Sequence, residues 1–101
     1  MSLLLETNIV TISPYNVINS DTVIFVNRNS PATVILPLLV GDDHCGRSFY
    51  IKDFSGTSTV NPITITASGG KLINGVSFAI LNGAYSHIQV VYDGTNWMTI
   101  A

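Results

Sequence analysis

Asp42-Asp43-His44-Cys45 is the one run in this chain that collects carboxylate, imidazole and thiolate groups, the ligand types that hold zinc and related ions. Tetrahedral sites usually draw on separated pairs, and four consecutive residues converge poorly on one ion. The plainer reading is a polar loop followed by a buried free thiol. As base and nucleophile, His44 and Cys45 are also poorly placed, because neighbours in sequence rarely bring imidazole and sulfur within hydrogen-bond reach. Hydrolysis by paired carboxylates needs two acids several ångströms apart in a cleft. The acids are Glu6, Asp21, Asp42, Asp43, Asp53 and Asp93. Asp93 suits a turn, Asp53 a turn or a partner for Arg47 or Lys52, and Asp21 a bend before a strand. The chain is therefore read as a non-enzyme without metal or cofactor. A sugar platform is the competing chemistry: Tyr15, Tyr50, Tyr85 and Trp97 could stack on a glycan, although aromatics in strands are more often core.

Strands must position all of these groups. No window longer than ten residues keeps apolar residues at i, i+3, i+4 and i+7, and β-branched residues abound, so helices are not expected. Alternating or apolar runs predict about eight short strands: Asn8 to Ile12, Thr22 to Asn27, Ala32 to Leu36, Arg47 to Asp53, Ile63 to Thr66, Val76 to Ile80, Tyr85 to Tyr92 and Trp97 to Ile100. Lys71 to Ile73 is a candidate for a further short one. Turn residues separate them, among them Ser68-Gly69-Gly70, Asn74-Gly75, Asn82-Gly83 and Asp93-Gly94, which tolerate positive φ or bond their own backbone. The sequence thus predicts a compact all-β domain over 1–101, an antiparallel sandwich or barrel-like fold. No repeat long enough for a solenoid is visible. Gly56, Gly70, Gly75 and Gly94 suit turns with positive φ, Pro37 a strand end, and Asp93-Gly94 a hairpin of primed or bulged type. Trp97, with the largest apolar surface, reads as the anchor of the last strand.

Composition bears on partners. Ten of 101 residues are Asp, Glu, Lys or Arg, 47% are hydrophobic, and the net charge is −2. That is low for a solvated monomer. The four basic residues, Arg28, Arg47, Lys52 and Lys71, are scattered, which argues against nucleic acid. No apolar run reaches the ~18 residues of a membrane span, and Met1 to Glu6 lacks the charge and length of a secretory signal. In Ile63 to Thr66 one face is apolar and the other threonine. In Val23, Ile24, Phe25 and Val26, and again in Val34, Ile35 and Leu36, both faces are apolar, so a second face needs a partner. These seven residues, with His87, are the candidates for a homo-oligomer interface.

The order of several short segments resembles a β module of bacteriophage tail-fibre and giant-virus virion proteins. They are Thr33-Val34-Ile35-Leu36-Pro37, Gly46-Arg47, Ile51-Lys52-Asp53 with Gly56, Asn61-Pro62-Ile63-Thr64-Ile65, Ile73-Asn74-Gly75 and Val91-Tyr92-Asp93-Gly94-Thr95-Asn96-Trp97. Tyr15 with Asp21, Ile24 and Val26, and Gly69-Gly70, belong to the same outline, which covers almost the whole chain. The resemblance implies a homotrimeric structural protein of a virion or its appendage, made in the host cytoplasm without a signal peptide. Its implied partners are copies of itself, other virion proteins or host surface glycans, the last making it a receptor-binding module. Around a three-fold axis, three copies of His87 could hold an ion or water; an ordinary inter-strand contact is the plainer expectation.

Overall fold

The structure, a computed structural model, describes residues 7–18, 21–39 and 45–100. Among them are nine strands: β1 (Thr7–Val10), β2 (Tyr15–Asn16), β3 (Val23–Val26), β4 (Ala32–Leu36), β5 (Ser48–Asp53), β6 (Ile63–Ala67), β7 (Phe78–Leu81), β8 (His87–Tyr92) and β9 (Trp97–Ile100). Alternation in the sequence explains most of them. In β4, Ala32, Val34 and Leu36 point inward while Thr33 and Ile35 are half-buried on the other side, the period of two that a strand imposes.

The strands form two sheets, ordered β1-β3-β5-β8-β9 and β2-β4-β6-β7. Up to β6 the chain crosses from one sheet to the other at every step, and each new strand lies parallel to the one before it in its own sheet. A parallel pair requires a long connection. Here the opposite sheet supplies it, so three rungs stack as a flattened parallel coil. From β7 onward the pattern reverses: β7 runs antiparallel to β6, β8 to β5, and β9 to β8.

Two expectations are corrected. The sheets are mixed rather than antiparallel, and the first six strands wind like a solenoid although no repeat marks it. The rungs differ in length: Thr7 lies beside Val23 and Val23 beside Tyr50, steps of 16 and 27 residues (7→23→50). Insertions in the connections erase any fixed period. The short strand β2 was also not expected, and the segment Lys71 to Ile73 makes only single bridges, from Ile73 to Trp97 and to Val76.

Both sheets contribute to one core. Ile24, Val26, Phe49, Ile51, Val90, Tyr92 and Trp97 from the five-stranded sheet meet Ala32, Val34, Leu36, Ile63, Ile65 and Leu81 from the four-stranded one. Trp97 is fully buried, with ring centroids 5.8 Å from Phe49 and 5.4 Å from Tyr92. Its indole N–H has no hydrogen-bond partner among the described residues. Apolar packing outweighs that loss, since aromatic residues carry the largest burial gain of any side chain.

The closing hairpin turns through residues 93–96, between the paired Tyr92 and Trp97, and Gly94 there has a positive φ of 102°, as the sequence leads one to expect of a glycine in a tight turn. The Asp93 carboxylate accepts from the N–H groups of Thr95 at 2.9 Å and Asn96 at 2.8 Å. Tyr92 opposite Trp97 then sets the register.

Candidate functional site

The outward face of the five-stranded sheet carries a band of apolar side chains among polar ones. Register places its residues in rows: Thr7, Val23, Tyr50, Gln89 and Ile100 in one, Ile9, Phe25, Lys52 and His87 beside it, and Ser48, Val91 and Met98 on the other side. Ile9, Ile100 and Met98 are about half exposed. The ring of Phe54, just beyond β5, meets that of Phe25 edge-on at 5.6 Å. By contrast the outward face of the four-stranded sheet carries Thr33, Thr64 and Thr66 beside Ile35, with Phe78 and Ile80 at its edge.

These positions divide the expected interface residues. Val23 and Phe25 lie half-buried on the apolar outward face, Ile35 on the threonine-rich one, and His87 is exposed opposite Lys52. Ile24, Val26, Val34 and Leu36 are instead 0–2% exposed and belong to the core. They are corrected as interface residues: both faces of β3 and β4 are apolar, and the side holding these four is buried within the chain by the opposite sheet. His87 faces a lysine, and that neighbouring positive charge disfavours a cation there.

At one end of this face an aromatic and basic cluster gathers. Tyr85 is 59% exposed with φ of 58°, an unusual backbone state for a residue with a bulky side chain. The Lys52 ammonium donates to the Tyr85 carbonyl and lies 5.8 Å from the centre of its ring. The ring also approaches Gly56, where an added Cβ would come within 2.4 Å of it. Of the four aromatics considered for sugar stacking, Tyr85 and Tyr50 are exposed, whereas Trp97 is buried and Tyr15 is half-buried.

Two buried acids organise their surroundings, and Asp53 is the turn acid expected of it, with contacts that also reach across the chain. Asp53 is 1% exposed, and its carboxylate accepts from the N–H groups of Gly56, Ser58 and Tyr85 at 3.0, 3.0 and 3.1 Å, and from the Ser55 hydroxyl at 3.1 Å. Burial alone would raise its pKa, but the donors at Ser58, Tyr85 and Ser55 outweigh it and hold the carboxyl below the usual value. Neither Arg47 nor Lys52 is needed as its partner: Arg47 donates to the carbonyls of Asp21 and Ser48. Asp21, 5% exposed, accepts from the Tyr15 hydroxyl at 2.5 Å and from Ile18 N–H at 3.1 Å. The Tyr15 oxygen accepts in turn from Asn8 at 2.7 Å. Burial, with the hydrogen bond and charge of Asp21, pushes the Tyr15 hydroxyl up to about 12. Nothing in the sequence marks Tyr15 and Asp21 as partners, since Asp21 reads there only as a bend before a strand. At Asp93, the N–H groups of Asn96 and Thr95 hold the carboxyl below its ordinary value.

Asp42, Asp43 and His44 lie outside the described residues. Cys45 is exposed, which corrects the expected buried thiol: the turn holding it sits at the mouth of β5, outside the core. Among the described residues no three His, Cys, Asp or Glu side chains converge, the surface holds no cavity, and no helix is long and apolar enough to cross a membrane. Gly56, Gly70 and Gly75 have φ of 78, 71 and 79°, and Pro37 follows directly on β4. No protein-family model matches the chain, and no curated protein is significantly similar to it.

Proposed function

We propose that this chain is a non-enzymatic structural module of a virus particle or its appendage, working as a homotrimer. The viral part rests on the resemblance of its segment order. The oligomer rests on one observation: the outward face of the five-stranded sheet sets Ile9, Val23, Phe25, Tyr50, Val91, Met98 and Ile100 together in a chain whose two sheets already share a core. Such a face on a free monomer is an association surface. Sedimentation equilibrium tests it, with a mass near three times 10.9 kDa expected. A stable monomer at micromolar concentration would sink the oligomer, and failure to find the chain in purified particles would sink the virion assignment.

Attachment to host glycans is the second reading. It is favoured by the exposed Tyr85 beside Lys52, which lies in register with Phe25, since sugars stack on exposed rings and bond to neighbouring polar groups. Flat isotherms across a broad glycan panel would remove it.

A further inference from the structure

Four strands end the two sheets, and three of them offer little to a further strand. Beyond β9, Trp97 N–H donates to the Leu72 carbonyl and Asn74 N–H to the Trp97 carbonyl, while the Asn74 side chain pairs with Thr99. The β2 strand is only two residues long, and β1 begins with the polar pair Thr7 and Asn8. The remaining edge is β7, Phe78-Ala79-Ile80-Leu81. It pairs with β6 on one side and has no backbone partner on the other among the described residues. Edge strands are normally blunted by charge, proline or a bulge. Here Val76 through Asn82 contains no ionisable residue and no proline, and Phe78 and Ile80 are 47% and 45% exposed.

We propose that β7 is a self-association edge, pairing antiparallel with β7 of a second copy of this chain about a two-fold axis through Ala79. An antiparallel edge is complementary to itself, as an isologous contact requires. Residues directly opposite in a sheet share a face. Phe78 and Ile80 point outward, while Ala79 and Leu81 lie on the core side. A dyad at Ala79 therefore sets Phe78 of each copy opposite Ile80 of the other, an aromatic against a β-branched residue twice. A dyad at Ile80 would set Phe78 opposite Asn82. With no charge on the segment, two copies meet without like-charge repulsion despite the net charge of −2.

Size decides the strength. One aromatic, one isoleucine and a short backbone edge cover roughly 300–400 Å2 per copy, about half of the ~800 Å2 of a standard stable interface. The pairing is thus reversible and concentration-dependent, and it is distinct from the trimer face: it joins assemblies by their edges.

Disulfide trapping in the full chain tests it, in a Cys45→Ser background because Cys45 is exposed. Under mild oxidation at high micromolar concentration, Ala79→Cys is expected to link into dimers at least ten times faster than Ile80→Cys. Adding Ile80→Lys is expected to abolish the link, and raising salt from 0.05 to 0.5 M to change its rate less than twofold. No linking by Ala79→Cys, linking that survives Ile80→Lys, or faster linking through Ile80→Cys overturns the proposal. Should Ala79→Cys fail to fold, sedimentation velocity of the unmodified chain against Ile80→Lys decides: an even-numbered step in mass at high concentration must be present in the first and lost in the second. Because Ile80 is not on the five-stranded sheet, loss of that step leaves the proposed trimer intact.

Discussion

Asp53 and Tyr15 show how single polar groups are held inside a chain with so few of them. Asp53→Ala leaves the N–H groups of Gly56, Ser58 and Tyr85 without their acceptor, and buried unpaired donors are the expensive case. A loss of about 3 kcal/mol is expected, read as a lower urea midpoint at unchanged slope. Because the folded carboxyl titrates below its unfolded value, its contribution is present above about pH 4 and lost as pH falls through the folded value. Asp53→Asn should therefore differ from the parent at neutral pH and approach it in acid. Tyr15 has the opposite sense. Its neutral form is favoured in the fold, so its contribution is complete below about pH 10 and lost as pH rises toward 12. Tyr15→Phe should cost about 1–2 kcal/mol at pH 7 and show a weaker loss of stability than the parent between pH 10 and 12, measured by denaturation at each pH.

Among the elements, the connection from β5 carries the clearest local constraint. Gly56 has φ of 78°, and a Cβ there would meet the Tyr85 ring. The ring is exposed and can swing aside, so the backbone state is the larger cost, and Gly56→Ala should destabilise by about 1–2 kcal/mol. If the clash dominated, Tyr85→Ala would rescue most of that loss in a double-mutant cycle; recovery of less than half is expected. The strands themselves were largely legible. Ile63–Ala67 and Ala32–Leu36 alternate or press apolar on both faces, and their β-branched content excludes helix. The direction of pairing was not legible, because a parallel and an antiparallel neighbour ask the same alternation of a strand. Only the connections decide it, and their unequal lengths hid the coil. The same limit applies to the buried acids. Asp53 looks like any turn acid until Tyr85, far along the chain, is seen to donate to it, and Ile24 looks like surface until the second sheet covers it.

For the molecule as a whole, the two outward faces make different predictions. Each sheet buries its inner face in the common core, so assembly must use what remains outside. The five-stranded sheet offers apolar rows with Lys52 and His87 at one side, while the four-stranded sheet offers threonine with a strip of Phe78 and Ile80 at its edge. A lysine placed at the centre of a buried apolar contact must be desolvated or must break it, whereas the same residue on a wet face costs little. Tyr50→Lys, between Val23 and Gln89 on the apolar face, should weaken oligomerisation at least tenfold, equivalent to about 1.4 kcal/mol. Thr64→Lys on the other sheet should leave the mass unchanged. Sedimentation equilibrium of the two variants, with circular dichroism to show both folded, separates the faces. An equal effect of both, or dissociation by Thr64→Lys alone, would place the contact away from the five-stranded sheet and remove the physical basis for assembly through it.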